Sequence, residues 1–177
     1  MSGDSFNDLL STQIGHEFAA SQQYIAIAAW FDEHDLPQLA AHFYRQSVEE
    51  RNHAMMLLQY RMDRHLGVAI PGIPPVRNEF ANVVEPIELA LAQEKEVTGQ
   101  IEALFKAARS EGDALGEQAM LWFLKEQVEE VASMDTLLTI AQRAKDNLFD
   151  IENFVARERI GDAGVDANAP EAAGGVL

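Results

Sequence analysis

The chain has 177 residues, no cysteine, and 13 Lys+Arg against 29 Asp+Glu, which leaves a formal net charge of −16. That length supports one domain with a real core, and a hydrophobic content of 47% separates it from acidic disordered chains. Lack of cysteine excludes disulfides, thiolate-held zinc, iron–sulfur clusters and thiol catalysis, while the acidity disfavours nucleic acid and attracts cations.

In chain order, glycine and proline are sparse enough to leave four long segments with helical periodicity, at residues 4–33, 36–65, 83–111 and 113–144. The first carries a stripe of Phe6, Leu10, Gln13, Glu17, Ala20, Tyr24, Ile27 and Phe31, in alternating steps of three and four. The second repeats it with Leu39, Phe43, Gln46, Glu50, His53, Leu57 and Tyr60. The third stripe is Ile87, Ala90, Glu94, Val97, Ile101, Leu104 and Ala108, and the fourth Met120, Phe123, Gln127, Glu130, Met134, Leu137 and Ala141. Asp35-Leu36-Pro37 and Gly112-Asp113 permit only tight reversals, whereas Gly67 to Asn82 is long and holds Pro71, Gly72, Pro74 and Pro75. The expectation is an all-α four-helix bundle of two antiparallel hairpins joined by one long crossover.

Beyond it, Asn147 to Glu158 predicts a short fifth helix whose Leu148, Ile151, Phe154 and Val155 need burial, most simply against neighbouring subunits. The domain is therefore drawn at residues 1–160, with 161–177 as a flexible C-terminal tail whose last residues, Gly-Gly-Val-Leu, are a candidate docking peptide. The first basic residue is Arg45 and the longest apolar run is Tyr24 to Phe31, so no export leader, no membrane span and a cytoplasmic location are expected.

Each core stripe is broken near its middle by ligand-type side chains: Glu17, then Glu50 with His53, then Glu94, then Gln127 with Glu130. Half-way positions share one depth in an antiparallel bundle, so these six donors converge. Four carboxylates buried together require a counter-charge. The nearest basic residues, Arg45, Arg51 and Lys125, lie off the stripes, which leaves metal. Two divalent cations balance the four glutamates with His53 neutral, and oxygen donors plus one imidazole suit iron or manganese. Glu50 and His53 form a Glu-x-x-His pair on one helical face.

These residues resemble the ferritin family over roughly residues 5–160. The resemblance implies that Glu17, Glu50 and His53 hold one iron, that Glu50, Glu94 and Glu130 hold a second, and that Gln127 hydrogen-bonds beside them. It further implies ferroxidase activity, in which Fe(II) is oxidised by O2 or H2O2, and storage of hydrated ferric oxide inside a homo-oligomeric shell of 24 subunits. The fourth helix reads Gln127-Val128-Glu129-Glu130 where a bacterioferritin has a second Glu-x-x-His, and Arg51 stands where its haem-binding methionine belongs. Haem is accordingly not expected, although Met55 and Met56 are close in sequence, and the non-haem branch is. The alternative is a stand-alone di-iron or iron–manganese bundle enzyme of oxygenase type.

Secondary candidates surround this set. Tyr24 follows Glu17 by two turns on the same stripe and is either a redox or hydrogen-bonding partner or a core tyrosine. Glu49, Glu126 and Glu129, by the resemblance, make a third iron site with Glu130, or else belong to a solvated acidic face. Glu111, Asp113 and Glu117 are pore candidates or ordinary capping residues. Trp122 is expected to pack, and His16, His34, His42 and His65 to sit at helix surfaces or ends as non-ligands.

Overall fold

The computed structural model describes residues 4–158 and 166–177. It consists of five helices and, among the described residues, no strand: α1 (Phe6–Glu33), α2 (Pro37–Asp63), α3 (Val84–Glu111), α4 (Ala114–Arg143) and α5 (Leu148–Glu158). Local chemistry sets these limits. Ser5 caps α1 by accepting from the Asp8 amide, and Pro37 opens α2, where its missing N–H is no loss. Gly112 ends α3 at φ 73, which an L side chain adopts only under strain, and Asp113 then caps α4 through the Gly116 amide.

Helices α1 and α2 form one hairpin and α3 and α4 the other. The crossover between them can be followed along α1 by its contacts. Arg61, just before it, donates to the Asn7 carbonyl at 2.7 Å. Pro71 then rests on Gly15, where a Cβ would stand 3.0 Å from the ring. Gln23 and the Arg77 backbone exchange two hydrogen bonds at 2.7 and 2.8 Å. Finally Phe80 meets Trp30 edge to face, with centroids 5.7 Å apart. Contacts that advance from Asn7 to Trp30 cover about 35 Å of helix, so the crossover runs most of the length of α1.

The core has two apolar clusters. One gathers Tyr24, Phe31, Phe43, Ile87, Ala90, Met134 and the α5 residues Ile151 and Val155; the other gathers Phe6, Ile14, Leu57, Val97, Leu104, Met120 and Phe123. Between them lie the buried Glu17, Glu50, His53, Glu94 and Gln127.

Two regions differ from the sequence-based expectation. Ile151 and Val155 of α5 are buried within the same chain rather than awaiting another subunit, and Glu152 fixes the helix by accepting from the Gln38 and Leu39 amides at the start of α2. Leu148 is 40% exposed and Phe149 82%. The C-terminal segment, expected to be flexible, packs on the bundle over its described residues 166–177. Asp166 accepts from the Trp122 indole at 3.0 Å, the Ala173 amide donates to the Met55 carbonyl at 3.0 Å, and Ala173 joins the second cluster. Ala169 and Ala172 pack against the same cluster, without any periodicity to announce them. Val176 and Leu177 of the candidate docking peptide remain exposed. Residues 161–165 of the expected tail lie outside the described residues.

Candidate metal centre

The polar layer is built by one side chain per turn from four helices, each on the stripe that faces the bundle axis. Ligand atoms of Glu17, Glu50 and His53 lie within 4.8 Å of one another, all three buried, a grouping that can hold a metal ion. His53 Nδ1 stands 3.7 Å from Glu50 Oε2, and its ring packs edge to face on Trp122 and Phe123. These aromatic walls orient the imidazole toward the carboxylates.

Glu94 and Glu130 stand outside that close group but share its field. Burial pushes the Glu17 carboxyl well up, with the Glu50 charge next in weight. Glu50 is raised well above its ordinary value by burial and then by Glu94. Glu94 is raised by burial against the opposing pull of hydrogen bonds from Tyr24 and Gln127. Burial, with Glu94 and Glu49 behind it, raises Glu130 to about 8. Each of the four carboxylates keeps one enclosed oxygen without a hydrogen-bond partner: Oε2 of Glu17, Glu50, Glu94 and Glu130. No lysine or arginine among the described residues pairs with any of them. An unpaired buried carboxylate costs several kcal/mol, on the order of that for any buried ion, and four in one layer are the chemistry of a cation site.

Glutamine amides supply the remaining order. Gln13 Nε2 donates to Glu17 Oε1 at 2.8 Å, with His16 Nδ1 3.4 Å from Gln13 Oε1. Gln46 donates to Glu49. Gln127 Oε1 accepts from Thr98 at 2.9 Å. Gln13 and Gln46 stood on the sequence stripes without an assigned role, and Thr98 stood off them. A neutral amide beside a carboxylate at helical spacing was the available signal, but its meaning depends on rotamer. The Tyr24 hydroxyl donates to Glu94 Oε1, and the tyrosine is fully buried.

The outer acids divide. Glu126 is half-buried and raised mainly by burial, with Glu129 among its neighbours, and Glu49 and Glu126 both act on Glu130. Glu49, Glu126, Glu129 and Glu130 are thus electrostatic neighbours at the edge of the layer. The pore candidates are occupied within the chain. Glu111 accepts from the Phe6 amide at 2.7 Å, Asp113 caps α4 and pairs with Arg64, and Glu117 pairs with Arg109 at 2.8 Å. Trp122 packs as expected and also reaches the C-terminal segment. His42 corrects the sequence reading, since it is buried at 1% exposure against Phe43 rather than on a helix surface. His34 stacks on Trp30, and His65 is exposed in the turn after α2.

Among the described residues no helix is long and apolar enough to cross a membrane. A ferritin-like domain model matches residues 7–144. Ferritin BfrB of Mycolicibacterium smegmatis is 62% identical over 172 residues, which cover 97% of this chain and 94% of that one. Bacterial non-heme ferritin of Staphylococcus saprophyticus is 34% identical over 140 residues, covering 79% of this chain and 84% of that one. An open pore ferritin from the archaeon Archaeoglobus fulgidus superposes with a TM-score of 0.83 at 22% identity, over 88% of this chain and 96% of that one, a likeness of fold. Nothing in these comparisons favours the oxygenase alternative. The match spans the bundle that carries the buried carboxylate layer, and the chain belongs to the ferritin family of iron-storage proteins.

Proposed function

We propose that the protein is a ferroxidase that oxidises two Fe(II) ions between its four helices and stores the product as hydrated ferric oxide. The observation that carries this reading is the set of four partnerless carboxylate oxygens, one each on Glu17, Glu50, Glu94 and Glu130, with which no lysine or arginine among the described residues pairs. Iron is the substrate here. Glu17, Glu50 and His53 receive one ion, and Glu50, Glu94 and Glu130 the other, with Glu50 shared. Two divalent charges offset four carboxylates, and the protons that burial holds on them leave as metal enters.

Each Fe(II) gives up one electron. The pair reduces O2 to H2O2 with uptake of two protons, or reduces H2O2 to two hydroxides. His53 is held by its aromatic walls, Tyr24 holds Glu94, and Gln13 holds Glu17. Glu49, Glu126 and Glu129, with Glu130, form the proposed third iron site, a way-station at the edge of the layer supported by their mutual electrostatic influence. A hollow shell of 24 copies, working in the cytoplasm without haem, completes the proposal.

The test is aerobic Fe(II) loading of the full chain followed by size exclusion. The expected result is iron co-eluting with a particle far larger than a dimer. Iron-free protein at monomer or dimer mass contradicts the reading.

A further inference from the structure

Gln127 has a fixed partner on the side away from the carboxylates. Thr98, one turn after Glu94 on α3, places Oγ1 2.8 Å from the Glu94 carbonyl oxygen and 2.9 Å from Gln127 Oε1. A hydroxyl carries one proton, so it cannot donate to both. Where that proton goes decides which way round the Gln127 amide lies. Donated to Gln127 Oε1, it leaves the Gln127 NH2 on the Glu94 side, where a donor meets a carboxylate. Donated to its own helix, the usual habit of a helical threonine, it turns the hydroxyl into an acceptor for the NH2 and sets amide oxygen against carboxylate oxygen. The first arrangement is the one the structure shows, since Thr98 donates to Gln127 Oε1 and the Gln127 side chain also hydrogen-bonds to the Glu94 carboxyl.

We propose that Thr98 is a positioning residue that commits Gln127 to act as a hydrogen-bond donor beside Glu94, and so removes it from the set of metal ligands. Glutamine binds a hard cation through its carbonyl oxygen, and that oxygen is engaged by Thr98. The second metal position then has one protein ligand fewer than the six-donor count from sequence, with an N–H bonded to its ligand Glu94. Gln127 is 3% exposed, so no bulk water competes for either end of the amide. This inference rests on the dinuclear centre proposed above.

The experiment titrates the full-length assembled protein anaerobically with Co(II), read by visible absorption and calorimetry, for wild type, Thr98→Ser, Thr98→Val, Gln127→Leu and the Thr98→Val/Gln127→Leu double variant. Wild type and Thr98→Ser are expected to take two Co(II) per subunit with the same spectrum. Thr98→Val, nearly isosteric but without the hydroxyl, should weaken one of the two sites about three- to tenfold, the size of one hydrogen bond, and slow Fe(II) oxidation comparably. Because Thr98 acts through Gln127, the double variant should be no weaker than Gln127→Leu alone. If wild type binds two ions and Thr98→Val matches it, or if the losses in the double variant add, the inference is overturned while the dinuclear reading stands. Fewer than two ions bound by wild type overturns the dinuclear reading, and this inference with it.

Discussion

The Tyr24 hydroxyl on α1 donates to Glu94 Oε1 on α3, an inter-hairpin hydrogen bond between residues 70 positions apart. It joins the two hairpins at the edge of the carboxylate layer. Burial and the Glu94 charge together push the Tyr24 phenol well above its ordinary range, so it stays protonated and serves as a donor. Tyr24→Phe removes that donor from Glu94 Oε1. The expected outcome is slower Fe(II) oxidation, metal-free stability lower by about 1 kcal/mol in chemical denaturation, and unchanged assembly by size exclusion.

The raised carboxyls give the metal-free protein a definite pH dependence. Glu130 titrates near 8 in the fold against an ordinary value of 4.5, and Glu17, Glu50 and Glu94 shift in the same direction. Across that window the folded state binds more protons than the unfolded state, so stability is full below about 4.5 and declines as pH rises toward 8. Thermal unfolding of metal-free protein at pH 5, 6, 7 and 8 should show a falling midpoint. Saturating Zn(II) should flatten the slope, because loading replaces protons with metal and tightens as pH rises.

Glu50 carries the sharpest conflict between stability and function, being buried at 2% exposure with a partnerless oxygen and close to both Glu17 and His53. Glu50→Gln removes one buried ionisable group, and with it the repulsion that grows as the layer loses protons at rising pH. Metal-free protein should gain up to about 3 kcal/mol in urea unfolding, while Fe(II) oxidation falls by at least a hundredfold. A variant that loses both stability and activity would mean that Glu50 is held by contacts other than a cation.

The helical stripes were legible in the sequence because spacing alone sets which residues face the axis. From Phe6 to Phe31 every stripe position of α1 is buried, and Glu17, Glu50, His53, Glu94 and Gln127 are buried among the apolar ones. Side-chain orientation was not legible. Gln13 and Gln46 matter through which end of the amide faces a carboxylate of the same helix, and Thr98 through the end of the Gln127 amide it meets across helices, properties of rotamers rather than of spacing. The C-terminal segment was missed for a related reason. Its anchors at Asp166 and Ala173 are single tertiary contacts in a run without period.

Those anchors make their own prediction. Truncation after residue 165 removes the Asp166 acceptor from the Trp122 indole and Ala173 from the second apolar cluster. Trp122 fluorescence should shift to the red. Stability should fall by about 1 kcal/mol for the lost alanine burial, with the helical content by circular dichroism retained.

Anomalous diffraction at the iron edge, from crystals of the full chain soaked anaerobically with Fe(II), tests the central claim most directly. Two strong peaks per subunit are predicted, one among Glu17, Glu50 and His53 and the other among Glu50, Glu94 and Glu130, with a weaker third peak beside Glu49, Glu126 and Glu129. Iron found only at surface carboxylates, with none between the four helices, would contradict it.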